Sequence, residues 1–306
     1  MTSQGFQDLL AYLAQRGPST NGSPTMAELR QRVVALNERF YDPPPHTFEV
    51  VDAGGVRAAW VRSADADPDR AVVYFHGGGY GAGSVETHRD LTARVSQAAR
   101  AAVLSVDYRL APEHTFPAPV DDGLAAYRWL LATGWSADRV AFGGDSAGGG
   151  LALGVALACR DLHEPLPACV ASISPMADMG HTGASETERA DRDPLVSPAG
   201  SRAYAARYVR SWHDVANPYA SPVRGDYAGM PPVLVLAATE DVHHDDATRV
   251  AAAVERAGGV AEVFVGEKMV HNWPMFTSQV PEGQEALDRL GSFVIEHTAA
   301  TAPTPS

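Results

Sequence analysis

The sequence predicts an α/β layered fold, with a mainly parallel central sheet covered by helices on both faces, and three observations predict it. Short β-rich runs alternate with helical patterns along most of the chain. The runs are apolar along their length rather than at every second residue, as strands buried on both faces are. An antiparallel hairpin leads into the first of them. With 306 residues, 45% of them hydrophobic, the chain can build one large core or two ordinary domains.

The elements follow in order. Phe6, Leu9, Leu10 and Leu13 fall at i, i+3, i+4 and i+7, one apolar stripe of a helix. Thr25 and Glu28 make a capping box, and Leu29, Val33, Leu36 and Phe40 continue as a second stripe until Tyr41-Asp-Pro-Pro-Pro45 stops it. These stripes need a surface to cover, and the sheet that follows is the nearest. Phe48 to Val51, a turn at Asp52-Ala-Gly-Gly55 and Val56 to Val61 form the hairpin. Strands are then expected at Ala71 to Phe75, Val103 to Val106, Val140 to Phe142, Val170 to Ser174, Val233 to Ala237 and Ala261 to Val265. One intervening helix carries Val120, Leu124, Tyr127 and Leu131, and another follows Ser146. Between Pro175 and about Asn217 there is no strand pattern, only a helix start at Ser197-Pro198 and a short helical run over Ala199 to Tyr208. Leu287, Leu290 and Val294 mark a last amphipathic helix. The expected division is therefore a core over 46–177 and 216–298, a helical cap over 1–45 and 178–215 beside the carboxyl edge of the sheet, and a disordered tail over 299–306.

Composition removes several function classes. The net charge of −13 repels phosphate backbones and anionic membranes, so neither nucleic acid nor a membrane surface is an expected partner. No apolar run approaches the roughly 18 residues of a membrane span. The chain opens Met1-Thr2-Ser3-Gln4 with no basic residue before Arg16 and no apolar run of signal length, which makes the cytoplasm the expected address. The single lysine, Lys268, follows Glu267, so no phosphate-cradling Gly-Lys-Ser/Thr exists. Cys159 and Cys169 are too few for a disulfide framework or a thiolate zinc site and read as reduced core thiols.

Gly144-Asp145-Ser146-Ala147-Gly148 is a Gly-x-Ser-x-Gly pentapeptide between the strand Val140 to Phe142 and the helical run Leu151 to Cys159. That is the strand-turn-helix setting of a nucleophile elbow, whose tight turn requires the flanking glycines. A serine hydroxyl needs a base, and the base needs a carboxylate to orient it; in this architecture the chain order is Ser, acid, His. Of the histidines in the last-strand region, His243 and His244 lie too near the acid to come from a separate loop and His297 lies at the terminus, which leaves His271 as the base. The loop after Val233 to Ala237 offers Glu240 and Asp241 immediately past the strand; Asp241 is chosen on position, with Glu240 second. His243-His244-Asp245-Asp246 reads as a polar helix start rather than a metal site, because adjacent residues point apart. His76-Gly77-Gly78-Gly79 follows the strand Ala71 to Phe75, where glycines let backbone N–H groups approach a substrate oxyanion. A dinucleotide fingerprint fails there, since Gly79-x-Gly81 meets Ser84 and Gly77-x-Gly79 meets Ala82 at the third glycine position.

Three signatures in order resemble the hormone-sensitive-lipase family of α/β-hydrolases, in its bacterial esterase branch: His76-Gly-Gly-Gly-Tyr80, Asp107-Tyr-Arg-Leu-Ala-Pro-Glu113 with Phe116-Pro-Ala-Pro119, and Gly144-Asp-Ser-Ala-Gly-Gly149. With Asp241 and His271 the resemblance spans about residues 70 to 275. It implies the α/β-hydrolase fold, Gly78, Gly79 and Ala147 as oxyanion-hole donors, a structural role for Asp107 to Glu113, and His76 as a brace for its loop. The family commonly has Asp-Pro-Leu-Arg-Asp-Glu at the acid and His-Gly-Phe at the base, where this chain has Asp241-Val-His-His-Asp-Asp246 and His271-Asn-Trp273.

The expected function is hydrolysis of a small-molecule ester by Ser146, His271 and Asp241 through an acyl-enzyme, with no cofactor or metal. A cap bearing Phe6, Leu10, Phe40 and Tyr204 is expected to narrow the acyl pocket and favour short to medium acyl groups. Lactones and N-acetyl or arylamides are rivals within the class, and a non-catalytic ligand-binding protein of the same fold is the rival outside it. A homodimer through the final strand is compatible with the resemblance, and no residue decides it.

Overall fold

The computed structural model describes residues 2–16 and 24–298. Two helices lead the chain, α1 (Gln4–Arg16) and α2 (Met26–Arg39), and the hairpin β1 (His46–Asp52) and β2 (Arg57–Ser63) follows. The alternating part runs β3 (Asp67–Phe75), α3 (Arg89–Ala99), β4 (Ala101–Val106), α4 (Ala118–Ala132), β5 (Val140–Asp145), α5 (Ala147–Asp161) and β6 (Cys169–Ile173). Three short helices come next, α6 (Ser185–Glu188), α7 (Pro198–Tyr208) and α8 (Trp212–Ala216). The chain then closes with β7 (Val233–Ala238), α9 (His244–Arg256), β8 (Ala261–Gly266) and α10 (Glu282–His297).

The eight strands form one sheet in the order β1-β2-β4-β3-β5-β6-β7-β8. The β1–β2 and β2–β4 pairs are antiparallel and all others are parallel. Every residue of β4, β5, β6 and β7 is buried, which is why those runs lack the polar alternation of a half-solvated strand. Alternation still sorts side chains to two faces. Val73 and Phe75 join the core beneath α4, α5 and α9, while Val72 and Tyr74 join the core beneath α1, α3 and α10.

The expected strands and hairpin are all present, and the capping box at Thr25 forms in both directions, with Glu28 N donating to Thr25 Oγ1 and Thr25 N to Glu28 Oε2. Ser197 caps α7 through Gly200 N at 3.2 Å. Two features depart from the sequence reading. Strand β3 begins at Asp67 rather than Ala71, because its polar first residues pair irregularly with β4, with a register shift between Asp67 and Ala71. Helix α3 was not foreseen; Leu91, Val95 and Ala99 give it an apolar stripe seated against β2 and β4. The tail expected over 299–306 lies outside the described residues.

Helices α3 and α10 are held at close range by the absence of one side chain. A Cβ at Gly291 would stand 2.2 Å from the Ala98 carbonyl oxygen, a backbone atom with no freedom to turn aside. Gly291→Ala should therefore lower stability by about 2 kcal/mol despite alanine's better helix propensity. Urea denaturation checks this, and an unchanged or higher midpoint would mean that the two helices part freely.

Candidate active site

Four loops converge at the carboxyl ends of the parallel strands. The first is the turn between β5 and α5. Ser146 sits at φ 54°, ψ −121°, a conformation few non-glycine residues adopt. Its neighbours explain how the turn is tolerated: a Cβ at Gly144 would lie 2.2 Å from Gly148 O, and one at Gly148 would lie 1.9 Å from Phe75 O. The turn is fastened to the next strand by Ser146 N donating to Ile173 O at 2.8 Å.

The second and third loops follow β7 and β8. Ser146 Oγ lies 2.8 Å from His271 Nε2, and His271 Nδ1 lies 2.9 Å from Asp241 Oδ2. A carboxylate accepts only, so Nδ1 carries the proton and Nε2 is left to accept from the serine hydroxyl. Asp241 Oδ1 accepts the His243 N–H at 2.8 Å, which fixes the carboxylate's other end. Burial pushes the Asp241 carboxyl up, but the charge and hydrogen bond of His271 outweigh it and hold it at about 2. Burial pulls His271 down, and the Asp241 charge and hydrogen bond outweigh that, leaving the imidazole above its ordinary 6.5. Asp241 and Glu240 point in different directions: Asp241 is fully buried, whereas Glu240 faces Arg192 at 3.7 Å on the outside.

The fourth loop follows β3. Gly78 (φ +116°) and Gly79 (φ +64°) occupy left-handed conformations, and a Cβ at Gly79 would meet the Tyr204 ring at 2.4 Å. Ala147 is the first residue of α5, where backbone N–H groups have no intrahelical partner. Gly78, Gly79 and Ser146 line one cavity of about 350 Å³ together with His271.

Structure adds residues that the sequence did not single out. Asp145 Oδ1 accepts from Tyr74 Oη at 2.9 Å and Gly77 N at 3.1 Å, while Oδ2 accepts from Asn272 Nδ2 at 2.7 Å. One buried carboxylate thus ties the residue before the serine to the glycine loop and to the residue after the histidine. Burial opposes its ionisation, yet His88 and Tyr74 hold its pKa below the ordinary value. Asn272 (φ +52°) stands where the family often has glycine.

His243 is buried and its ring centroid lies 5.3 Å from that of His271; His244 turns the other way, toward Ala238 O. His243 Nε2 also lies 2.9 Å from Ser201 Oγ, a second Ser–His contact on the same cavity. That pair has no completed relay, because the nearest carboxylates stand 3.8 Å (Asp246) and 3.9 Å (Glu186) from Nδ1 and Ser201 lies inside α7 rather than on a strained turn. Burial chiefly drives His243 down to about 4, so it is neutral.

Asp193, between β6 and α7, accepts the His271 backbone N–H at 2.9 Å. Asp193, Asp241 and His271 are the only group of three or more His, Cys, Asp or Glu among the described residues whose ligand atoms lie within 4.8 Å of one another, and all three are already engaged in the hydrogen bonds above.

The cavity walls correct one expectation. Of Phe6, Leu10, Phe40 and Tyr204, only Tyr204 lines the cavity. Phe6 and Phe40 are buried in the core beneath α1, α3 and α10, and Leu10 packs on its edge. The leading helices contribute Leu13, Leu29, Val33 and Leu36 instead. A helical stripe identifies a buried face but not which of its residues meet the core and which the cavity.

A serine–imidazole–carboxylate chain at the carboxyl ends of a mostly parallel sheet is consistent with the α/β-hydrolase fold. The chain belongs to the α/β-hydrolase fold family, whose model matches residues 72–275, and within it to the bacterial hormone-sensitive-lipase esterases. It is 43% identical over 246 residues to an acetyl-hydrolase of Streptomyces hygroscopicus, covering 80% of this chain and 82% of that protein. It is 36% identical over 229 residues to carboxylesterase NlhH of Mycobacterium tuberculosis, covering 71% and 70%. The crystal structure of an esterase from the bacterial hormone-sensitive-lipase family superposes with a TM-score of 0.92 at 36% identity, covering 98% of this chain and 100% of that one. The esterase EstE5, soaked with p-nitrophenyl butyrate, superposes with a TM-score of 0.92 at 37% identity, covering 97% and 100%. The protein is accordingly a carboxylic ester hydrolase, and none of its described helices is long and apolar enough to cross a membrane.

The Asn272 brace makes a prediction of its own. Asn272→Gly keeps the left-handed backbone available and removes only the amide from Asp145. It should lower stability by about 2 kcal/mol, the scale of a hydrogen bond to a charged group. An unchanged urea midpoint would show that Tyr74 and Gly77 suffice to hold the carboxylate.

Proposed function

We propose that this enzyme is a serine carboxylesterase acting on short to medium acyl esters through Ser146, His271 and Asp241 and an acyl-enzyme intermediate. The observation that carries the reading is the continuous hydrogen-bond chain from Ser146 Oγ through His271 to Asp241 Oδ2, with links of 2.8 and 2.9 Å. Ser146 Oγ attacks the ester carbonyl while His271 Nε2 takes its proton, and Asp241 steadies the imidazolium that forms. The N–H groups of Gly78, Gly79 and Ala147 receive the oxyanion. His271 returns the proton to the leaving alcohol, then activates a water that releases the acid and regenerates the serine.

Segments 1–45 and 178–215 serve as the cap over this site. The short acyl range is supported by the cavity of about 350 Å³ and by Tyr204 seated against Gly79. The name of the Streptomyces acetyl-hydrolase points to the short end of that range.

Ser146→Ala should lower p-nitrophenyl butyrate hydrolysis by about a thousandfold or more while leaving the fold intact. A variant that keeps near wild-type turnover would remove Ser146 as nucleophile. With a cavity at the small end of the ligand-pocket range, a profile of p-nitrophenyl esters should peak below about ten acyl carbons; a later peak would refute the acyl range.

The pH dependence follows from the sign of the His271 shift. The base works only as neutral imidazole, and its pKa is raised, so kcat/KM should fall with decreasing pH through a midpoint above 6.5. A midpoint below 6.5 would contradict the Asp241–His271 coupling.

A further inference from the structure

We propose that Asp193 is a positioning residue for this reaction: from the cap it holds the main chain of the base and places a second carboxylate beside the imidazole that must become an imidazolium. The inference rests on the reading of Ser146 and His271 given above.

The geometry begins with Asp193-Pro194. Asp193 Oδ1 accepts the N–H groups of Leu195 at 2.8 Å and Val196 at 3.2 Å, an Asx turn that fixes the side chain's direction. The other oxygen, Oδ2, is thereby aimed at the core and accepts the His271 N–H at 2.9 Å. The base is thus gripped twice by carboxylates from different segments, at its ring by Asp241 and at its backbone by Asp193.

The hydrogen-bond inventory then constrains the chemistry of the group. Both oxygens accept from backbone N–H groups, and neither donates to any described partner. An amide at this position would have to turn its NH₂ toward one of those donors, so the site is built for an acceptor at both ends. Asp193 is buried, and its donor atoms lie within 4.8 Å of those of Asp241 and His271, a range at which a charge in a poorly solvated site acts strongly. Burial and the neighbouring Asp241 charge push its pKa to about 7, with His271 pulling the other way. The carboxyl and the imidazole it faces therefore act on each other's protonation as a coupled pair.

The groups that face it are few. Asp241 comes from the loop after β7 and His271 from the loop after β8, while His243, also after β7, lies against the His271 ring. Asp145, at the end of β5, acts on the same imidazole. On its own segment Arg192 is turned to Glu240 at 3.7 Å. An ionised Asp193 raises the His271 pKa and stabilises the imidazolium formed when Ser146 attacks.

The experiment compares wild type with Asp193→Asn by two readouts: kcat/KM against pH for p-nitrophenyl butyrate, and the His271 pKa followed by NMR, which needs no turnover. Loss of the charge should lower both the acid-limb midpoint and the NMR pKa by about one unit. It should also lower kcat with KM little changed. A variant that is merely less stable, with both midpoints at their wild-type values, would overturn the proposal and leave Asp193 a loop anchor. If Asp193→Asn does not fold, the wild type decides. A ¹³C-labelled Asp193 carboxyl that titrates in step with His271 supports the coupling, and one that titrates without moving His271 overturns it. A wild type with no ester turnover but with that joint titration supports the Asp193–His271 coupling and refutes the esterase reading separately.

Discussion

The site depends on one backbone conformation. Ser146 is held at φ 54°, ψ −121° so that a strand ending at Asp145 can give way to a helix beginning at Ala147 with the hydroxyl at the crest of the turn. That conformation stands only because the main chain packs against itself. Gly144 meets Gly148, and Gly148 in turn meets the Phe75 carbonyl of β3 at distances where no Cβ fits. The same contact brings the end of β3, and with it the Gly77 to Gly79 loop, against the start of α5. The residues offered as oxyanion donors are neighbours of Ser146 for this reason, and the glycines are required by approach of backbone to backbone rather than by flexibility.

A turn under strain needs fixed surroundings, and buried carboxylates supply them. Asp145 joins the nucleophile turn to the glycine loop and the base loop, and Asp241 holds the imidazole. Each is an acceptor-only group whose oxygens are matched to N–H or O–H donors, so the charge that burial would penalise is compensated by hydrogen bonds. The price is that removing one donor leaves a charged oxygen short of a partner in a site with little water, which makes the loops interdependent. His271 is the clearest case: its ring, its backbone N–H and the side chain of the residue after it are each tied to a different aspartate.

How much of this could be read from the chain depends on what each feature requires. The strands were legible because four of them are buried on both faces and must be apolar throughout. That Ser146, Asp241 and His271 would meet was legible because each follows the end of a strand, and chain order with loop position left few alternatives. Position favours Asp241 over Glu240 only slightly, and in the folded chain the two part: Asp241 is buried against His271 Nδ1 while Glu240 faces Arg192. Helix α3 went unread although its stripe of Leu91, Val95 and Ala99 is present. Phe6 and Phe40 were placed on the pocket when they serve the core, because a stripe's periodicity gives burial without naming the neighbour. Asp193, Asn272 and the Ser201–His243 contact carry no local pattern; they join segments separated by 42 to 127 residues and exist only once the chain is folded.

The cavity's walls and floor follow different physical rules, and this bears on how the enzyme works. The floor is a set of ionised and hydrogen-bonded groups whose positions are fixed by strand ends. The walls, from α1, α2 and α7, expose mostly apolar surface, with Leu13, Leu29, Val33 and Leu36 beside Arg32, Asn37 and Tyr204. Apolar walls contribute little direction to a substrate, but they exclude water, and in their presence the Asp241–His271 and Ser146–His271 contacts act at a lower effective dielectric. Wall and floor are also joined: α7 reaches the acid loop through Ser201 and His243, and the segment before α7 reaches the base through Asp193. A helical cap that only covered the site could move without consequence for the chemistry. One that supplies hydrogen bonds to the loop after β7 and to the His271 main chain is coupled to the positions of both.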